Sequence, residues 1–247
     1  MQGKTFLHCL VLVAVVHTVP ARSVRNRARS TYGRAATKSA PPPPVPPPPY
    51  WFDTRIHNLG NAGMLGGFHA AIAPFCTYLI DRFAYKGIDA RSQILRTIAP
   101  TLSVVDLCCG VAFSVNKGAT GVDTSPQMLA IARLFRPDAT FFEGNAESWG
   151  ENASLDVATI MYGMHEMPRD ARRRVLHNAM RIARKYVLIV DIDPGFNPSQ
   201  LMLSGEPYLE DYLMHMDDDV KEAATRAWRK TRVNIVPGHV IMWRLDL

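Results

Sequence analysis

Two aspartates stand where a parallel sheet would present them to a bound ligand. Asp106 ends an apolar run in VVDLCCGVAFS, Asp123 ends the next short run in GVDTSPQML, and Gly110 lies in the turn behind the first. In a doubly wound sheet, ligands bind at the carboxyl ends of the strands, where turn amides and helix N-termini hold anions. A carboxylate at the position of Asp123 can accept both hydrogen bonds of a ribose diol. The alternative for each aspartate is an ordinary loop or capping carboxylate.

A second candidate group follows a longer apolar run. His165 and Glu166 lie in YGMHEMP, directly after residues 155–162. Histidine titrates near neutral pH, so His165 is a candidate general base for an acceptor that arrives protonated. The alternative is that the two residues begin and position the next helix. No metal site is predicted, because the second histidine of a zinc-protease helix is missing from this motif.

Short apolar runs alternate with helical patterns from Leu102 onward. The predicted elements are strands at 103–107, 139–142, 155–162 and 186–192, helices at 126–134 and 169–184, and a hairpin of 232–236 with 239–245. This order predicts an α/β fold with a doubly wound, Rossmann-like, mostly parallel sheet and a C-terminal antiparallel hairpin.

Two runs of charge are expected at the surface. Arg172, Arg173 and Arg174 fall largely opposite the apolar face of helix 169–184, and Asp217 to Asp219 lie in a polar helical stretch. We therefore predict a solvated helix face for the arginines and assign no metal to the acidic triplet.

Four parts are predicted along the chain. They are a signal-peptide-like segment at 1–21, a basic transit-like segment with a proline-rich linker at 22–49, an N-terminal helical cap at 50–100, and the strand-bearing domain at 101–247. A signal-like segment followed by a transit-like one resembles the presequences of algae with complex plastids, so a plastid is the favoured destination. The mitochondrion and the secretory pathway are the alternatives. A single-pass anchor is the competing interpretation of the leader, but its apolar run falls short of the roughly 18 residues that a membrane span needs.

The net charge of +6 is confined to the N-terminal segment. Residues 1–49 hold seven basic and no acidic residues, which leaves 21 basic against 22 acidic residues in 50–247. A body with a net charge of −1 does not favour a nucleic-acid partner. The oligomeric state is not indicated by the sequence.

Five segments, taken in order, resemble the successive motifs of class I S-adenosylmethionine-dependent methyltransferases of the small-molecule type. They are VVDLCCGVAFS, GVDTSPQMLAIAR, FFEGNAESW, SLDVATIMYGMHEMPRDARRRVL and YVLIVDIDP. The resemblance implies that 101–247 is a methyltransferase domain that uses S-adenosylmethionine to methylate a small-molecule acceptor by direct displacement. Nucleic-acid amino-methyltransferases would instead carry an Asn/Asp-Pro-Pro-aromatic motif where this chain has YGMHEMP.

The resemblance also implies which residues bind the cofactor. The implied set is Asp106, Cys108, Gly110 and Ala112 for the methionine part, Asp123 for the ribose, Met128, Asn145 and Ala146 for the adenine, and Met161 and Tyr162 as further pocket residues. Residues 50–100 and 205–216 are the expected walls of the acceptor site. Their Tyr, Met and Phe content favours an apolar or aromatic acceptor.

The chain departs from the family pattern at the loop after the first strand. Cys108 and Ala112 stand where the family has glycine, and 111–120 is short for the usual helix. A catalytically inactive relative that serves as a binding or regulatory protein is therefore one alternative. A Rossmann-type oxidoreductase is disfavoured, because Cys108, Gly110 and Phe113 occupy the places of its G-x-G-x-x-G motif.

Overall fold

The structure is a computed structural model that describes residues 48–247. The predicted signal-like segment, and the transit-like segment with nearly all of its proline-rich linker, lie outside the described residues. The predictions about organelle delivery therefore stay predictions from sequence.

Helices and strands alternate through most of the described chain. The helices are α1 (Gly63–Leu79), α2 (Ala90–Leu95), α3 (Pro126–Phe135), α4 (Arg169–Ile182), α5 (Gln200–Gly205) and α6 (Leu209–Ala223). The strands are β1 (Val104–Leu107), β2 (Thr120–Asp123), β3 (Thr140–Glu143), β4 (Leu155–Met161), β5 (Ala183–Ile192), β6 (Arg229–Val236) and β7 (Val240–Asp246). A π-helical turn, Ile80–Ala84, extends α1.

The strands form one sheet in the order β3-β2-β1-β4-β5-β7-β6. Strands β1 to β5 run parallel, and β7 pairs antiparallel with both β5 and β6. This confirms the predicted fold class. The strand order reverses between β1 and β4, so the loops after these two strands diverge and leave a crevice at their carboxyl ends.

Local sequence accounts for most of the element boundaries. The Ser125 side chain accepts a hydrogen bond from the Met128 amide and caps α3, as predicted, with Pro126 at the first helical position. Strand β5 begins three residues earlier than predicted, because α4 passes directly into it at Ala183. Between β1 and β2 the chain forms turns in place of a helix.

The buried sheet carries a hydrophobic layer on each face. Val105 and Leu107 of β1 pack towards α4 and α6, whereas Val104 points to the opposite layer with residues of α2 and α3. Alternate side chains of a strand point to opposite faces, so a nearly unbroken apolar run is what a sheet covered on both sides requires.

Helix α1 presents apolar side chains on its outward face. Met64, Phe68, Phe75 and Tyr78 are all exposed. Among residues 48–247, the segment Gly63–Ala84 is the one helical stretch long and apolar enough to cross a membrane, with a mean hydropathy of 1.3 and 11% of that window buried. The inner face of the same helix lines a cavity.

The prediction that Arg172 and Asp219 lie at the surface is wrong. Helix α6 packs beside α4 and covers Arg172, which is 0% exposed. Its Nε lies 2.9 Å from Oδ2 of Asp219, and its Nη2 lies 2.7 Å from Oδ2 of Asp211. Asp219 also accepts a hydrogen bond from Arg169. Helical periodicity alone does not reveal that a second helix will cover a charged face.

Replacing Asp219 by Asn should lower the free energy of unfolding by about 3–5 kcal/mol, because it leaves the buried Arg172 guanidinium short of a counter-charge. The measurement is urea unfolding followed by circular dichroism. Asp218→Asn is the matched control, since Asp218 is exposed, and it should change stability by less than about 0.5 kcal/mol. Equal stability of the two variants would refute the structural role of the pair.

Candidate functional site

A cavity of about 430 Å³ lies at the carboxyl ends of β1, β2 and β4. Its floor is formed by the loops that follow these strands, and its roof by the inner face of α1. The predicted site residues on its wall are Cys108, Gly110, Asp123, Met128, Asn145, Ala146, Met161, Tyr162, His165 and Glu166. The fold thus brings together residues that are spread over some 60 positions of the sequence.

The loop after β1 turns through left-handed backbone conformations. The φ angles are 60° at Cys108, 51° at Gly110 and 70° at Ala112. Glycine adopts this region without a steric cost, which explains physically why the family pattern has glycine at the places of Cys108 and Ala112. The loop is held by Cys109, whose amide donates to the Val122 carbonyl at 3.0 Å.

Asp106 and Ala112 lie behind the cavity wall and are each about 1% exposed. The Asp106 carboxylate accepts hydrogen bonds from Ser114 Oγ at 2.6 Å and from Thr159 Oγ1 at 2.5 Å. Burial raises the pKa of Asp106 to about 7, and the two hydroxyls partly oppose that rise. Asp106 therefore ties the loop after β1 to β4, which sets the shape of the cavity floor.

Asp123 lines the cavity at the end of β2. Its Oδ2 accepts from the Gly110 amide and its Oδ1 from the Ser125 amide, both at 2.8 Å. Burial raises its pKa to about 6, although these amides act in the opposite direction. Each carboxylate oxygen has a second lone pair, so the group can accept two further hydrogen bonds. This capacity fits a ribose diol.

The wall beyond Asp123 is suited to a flat ring. Met128 lies in the first turn of α3, while Asn145 and Ala146 follow β3 on the same wall. The Asn145 side chain accepts from the Glu147 amide at 2.9 Å, which fixes this turn. These residues lie where the family resemblance implies that the adenine binds.

Met161 ends β4 and Tyr162 follows it, and both lie on the cavity wall. Tyr162 has a φ of 62°, and the Arg91 guanidinium lies 4.0 Å from the centre of its ring. Its hydroxyl oxygen is buried without a hydrogen-bond partner among residues 48–247. Burial raises the pKa of Tyr162 well above the usual value for tyrosine, so this hydroxyl stays protonated.

His165 forms a buried pair with Asp191. Its Nδ1 lies 2.6 Å from Asp191 Oδ1, and the second oxygen of Asp191 accepts from the Met164 amide at 2.8 Å. Burial opposes the charged ring, but Asp191 outweighs it and the pKa of His165 rises to about 9. The ring is therefore an imidazolium at neutral pH and becomes a base only after it releases a proton.

A second histidine, His57, bridges two carboxylates on the cavity wall. Its Nε2 lies 2.9 Å from Glu166 Oε1, and its Nδ1 lies 2.8 Å from Glu206 Oε1. His57 has a φ of 51° and ψ of 19°, a conformation that is strained for a non-glycine residue. Burial lowers the pKa of His57, but Glu206 and Glu166 raise it by more, so that the pKa lies well above its usual value.

Sequence reasoning gave no individual role to His57, Glu206 or Asp191, although His57 and Glu206 lie in the ranges 50–100 and 205–216 predicted as walls of the acceptor site. His57 meets Glu166 across 109 positions, and no local pattern indicates such a contact. Asp191 did leave a signal, because it is the one charged residue in the apolar run YVLIVDI after Tyr186. A buried strand tolerates a carboxylate only where hydrogen bonds or a counter-charge stabilise it.

Replacing Asp191 by Asn should lower the pKa of His165 from about 9, because the carboxylate that most strongly opposes the effect of burial is removed and only Glu206 and Glu166 still raise the pKa. Histidine NMR titration measures this, and Asp193→Asn, just after the end of β5, is the matched control. The pKa of His165 is higher in the folded protein than in the unfolded chain, so protonation of His165 stabilises the fold. This stabilisation is complete below pH 6.5 and is lost as the pH rises through 9. The fall in stability over this range should shrink in Asp191→Asn; an unchanged pKa of His165 would contradict the pairing.

Comparison with known proteins gives a consistent result. Residues 104–186 match the model of a methyltransferase domain family. An uncharacterized methyltransferase of Synechocystis is 32% identical over 125 residues, which is 45% of this chain and 58% of the relative. The chain thus matches little more than half the length of this relative.

Solved structures show the same fold. An S-adenosylmethionine-dependent methyltransferase of Thermotoga maritima is 19% identical, with a TM-score of 0.52 over 73% of this chain and 98% of its own. A TehB-like S-adenosylmethionine-dependent methyltransferase of Corynebacterium glutamicum is 13% identical, with a TM-score of 0.51 over 72% of this chain and 97% of its own.

Proposed function

We propose that this chain is a class I S-adenosylmethionine-dependent methyltransferase that transfers a methyl group to a small-molecule acceptor. In support, residues 104–186 match a methyltransferase domain family and the chain has the fold of solved S-adenosylmethionine-dependent methyltransferases. The observation that carries the proposal is the single cavity in which the loop after β1, Asp123 and the apolar inner face of α1 meet. A cofactor on the floor and an apolar acceptor under the roof would lie against each other there.

The residues on the floor fit the cofactor. Asp123 would accept the ribose hydroxyls, the turn of Asn145 and Ala146 with Met128 would enclose the adenine, and the loop at Cys108 and Gly110 would meet the methionine part. When bound, S-adenosylmethionine supplies an electrophilic methyl group, which an acceptor lone pair attacks as the carbon–sulfur bond breaks towards sulfur. The chain itself aligns the two reactants and excludes water.

The roof of the cavity favours an apolar acceptor. Helix α1 and its π-helical extension contribute Ile72, Ala73, Leu79, Ile80 and Phe83 to the wall. Such a wall offers few hydrogen bonds, and the burial of a hydrophobic acceptor against it is favourable. We infer an aromatic or alkyl acceptor small enough to share the cavity with the cofactor.

If the methyl acceptor must lose a proton, the candidate bases are His165 and Glu166 at the polar end of the cavity. His165 is paired with Asp191 and holds a proton on each ring nitrogen at neutral pH, so it could accept a proton only after it had first lost one. Glu166 is the other candidate proton acceptor. Burial raises the pKa of Glu166, but His57 outweighs burial and lowers this pKa to about 2. At that pKa Glu166 is a weak base, which favours a role in positioning over a role in proton abstraction.

An inactive relative remains the second candidate, on the strength of the left-handed Cys108 and Ala112. Both functions require cofactor binding, whereas only an enzyme transfers the methyl group. Delivery to an organelle, with a plastid favoured, stays a prediction from residues 1–49.

Replacing Asp123 by Ala should weaken the binding of S-adenosylhomocysteine by about 1–3 kcal/mol, because two hydrogen bonds to the ribose are lost from a buried site. Isothermal titration calorimetry measures the change. Asp138→Ala removes an exposed aspartate of the same domain and should bind as the parent does. A folded parent protein that binds no S-adenosylhomocysteine would overturn the cofactor assignment altogether.

Incubation of the protein with methyl-labelled S-adenosylmethionine and a metabolite extract should place the label in small molecules. The reason is that α1 roofs the cavity with apolar side chains, which suits a compact hydrophobic acceptor. Mass spectrometry detects the labelled products, and Asp123→Ala should form them more slowly. Binding of the cofactor without any labelled product would favour the inactive relative, and label recovered only in nucleic acid would refute the small-molecule acceptor.

A further inference from the structure

The polar end of the cavity is a cluster of three side chains, His57, Glu166 and Glu206, which we name the acidic clamp. Both ring nitrogens of His57 lie within 3 Å of carboxylate oxygens. A nitrogen in such a contact donates its hydrogen, so His57 carries protons on both nitrogens and one positive charge. Two carboxylates share this one cation, and the clamp therefore has a net charge of −1.

The remaining charged groups on the wall do not supply a compensating cation. Arg91 pairs with Asp81 at 3.6 Å, and His165 pairs with Asp191. His69 lies 4.7 Å from the His57 ring, and burial, with the nearby His57 charge, lowers the pKa of His69 to about 4. His69 is therefore neutral and does not offset the clamp.

His239, the remaining histidine on the described wall, is also neutral, since burial lowers its pKa. Asp123 adds a further negative charge, but it lies on the cofactor side of the cavity. No charged group on the described wall thus balances the clamp.

The excess charge is presented to the cavity by Glu166. Glu206 is 6% exposed, and its Oε2 is buried without a hydrogen-bond partner among residues 48–247. Glu166 is 26% exposed and lies on the cavity wall, and its Oε1 is the oxygen bonded to His57. Glu206 thus engages the far side of the imidazolium, which leaves the other oxygen of Glu166 to meet a ligand.

The backbone that carries the clamp is closely packed and has unusual dihedral angles. His57 and Asn58 both have positive φ angles, of 51° and 58°. A Cβ on Gly205 would lie 2.8 Å from Asn58 Nδ2, so this glycine permits the segment before Glu206 to approach Asn58 closely. A strained, tightly packed backbone persists where surrounding contacts determine it, and such positions are common at binding sites.

We propose that the acidic clamp recognises a basic nitrogen on the acceptor, with an ammonium group donating a hydrogen bond to the Glu166 carboxylate. The acceptor class is then an amine with an apolar body, the body lying against α1 and the nitrogen against the clamp. This proposal rests on the proposed function, because it assigns a subsite to the acceptor of that reaction.

Other acceptor classes fit the clamp less well. A carboxylate or phosphate on the acceptor would be repelled by a partly desolvated negative charge. A neutral hydroxyl could donate one hydrogen bond but would leave the net charge of the clamp uncompensated. Charge-assisted hydrogen bonds are roughly twice as strong as neutral ones, so the cationic group gains the most.

The test compares three probes with the same ring and chain length in protein saturated with S-adenosylhomocysteine. They are 2-phenylethylamine, 2-phenylethanol and 3-phenylpropionate, each titrated calorimetrically. The amine should bind about tenfold or more tightly than the alcohol, and the acid least of all. Equal binding of amine and alcohol, or no amine binding below about 1 mM, would overturn the proposal.

Two isosteric variants and one control locate the effect. Glu166→Gln and Glu206→Gln should each reduce the preference for the amine over the alcohol to less than about threefold, since each removes the excess charge. Glu210→Gln, at an exposed position of α6, should keep the preference of the parent. A preference that survives both clamp substitutions refutes the clamp as its source, and thermal unfolding confirms that each variant is folded.

Cofactor binding separates this proposal from the one on which it rests. If S-adenosylhomocysteine does not bind, the proposed function fails. If it binds and the probes are not distinguished, only the amine subsite fails. A loss of affinity for S-adenosylmethionine but not S-adenosylhomocysteine in Glu206→Gln, without any probe preference in the parent, would assign the clamp to the sulfonium and refute the acceptor role.

Discussion

The cavity depends on the short connection between β1 and β2. Residues 111–119 turn without building a helix, so Val111 and Phe113 are left to be covered by another part of the chain. Helix α1 covers them, packing Ala70 and Ala73 against the loop and against Met128 of α3. A helix that arrives before the sheet in sequence thereby becomes the roof over the carboxyl ends of the strands. The short connection between β1 and β2 thus accounts both for the departure from the family pattern at this loop and for the apolar wall that α1 contributes to the cavity.

Hydrogen bonds on both sides of the cavity hold α1 and the segment before it in place over the sheet. Ser125 caps α3 and also donates to the Asn61 carbonyl at 2.6 Å, which fixes the start of α1 to the sheet. His57 ties the segment before α1 to Glu166 after β4 and to Glu206 after α5. Each of these bonds joins parts of the chain that are distant in sequence. The position of the roof therefore depends on a few polar contacts, and the same contacts shape the end of the cavity that faces the acceptor.

The sequence predicted what depends on local pattern and missed what depends on packing between distant segments. The order of strands and helices, the cap at Ser125 and the carboxylate at Asp123 follow from neighbouring residues and from the rule that ligands bind at strand ends. The burial of Arg172 was missed, because its partner Asp219 lies on another helix 47 positions away. Only one of the three residues of the acidic clamp was identified, because Glu166 lies in a motif, whereas His57 and Glu206 have no local signature. Charged residues were assigned to the surface by default, and that rule fails where two elements cover each other.

Several buried charges in the described part of the chain are paired, whereas Asp106 and Asp123 are stabilised by hydrogen bonds alone and the acidic clamp holds one more carboxylate than cation. The buried Arg172 has Asp211 and Asp219, and His165 has Asp191. Burial of a charge is costly unless a partner offsets it, so pairing is the expected arrangement. In the acidic clamp the ratio is two carboxylates to one imidazolium, and the carboxylate that faces inward remains unbalanced. A folded chain retains such an imbalance at a cost in stability, and a cation from outside the chain can restore the balance. The same physical rule that explains the buried pairs of the core thus implies a cationic ligand at this end of the cavity.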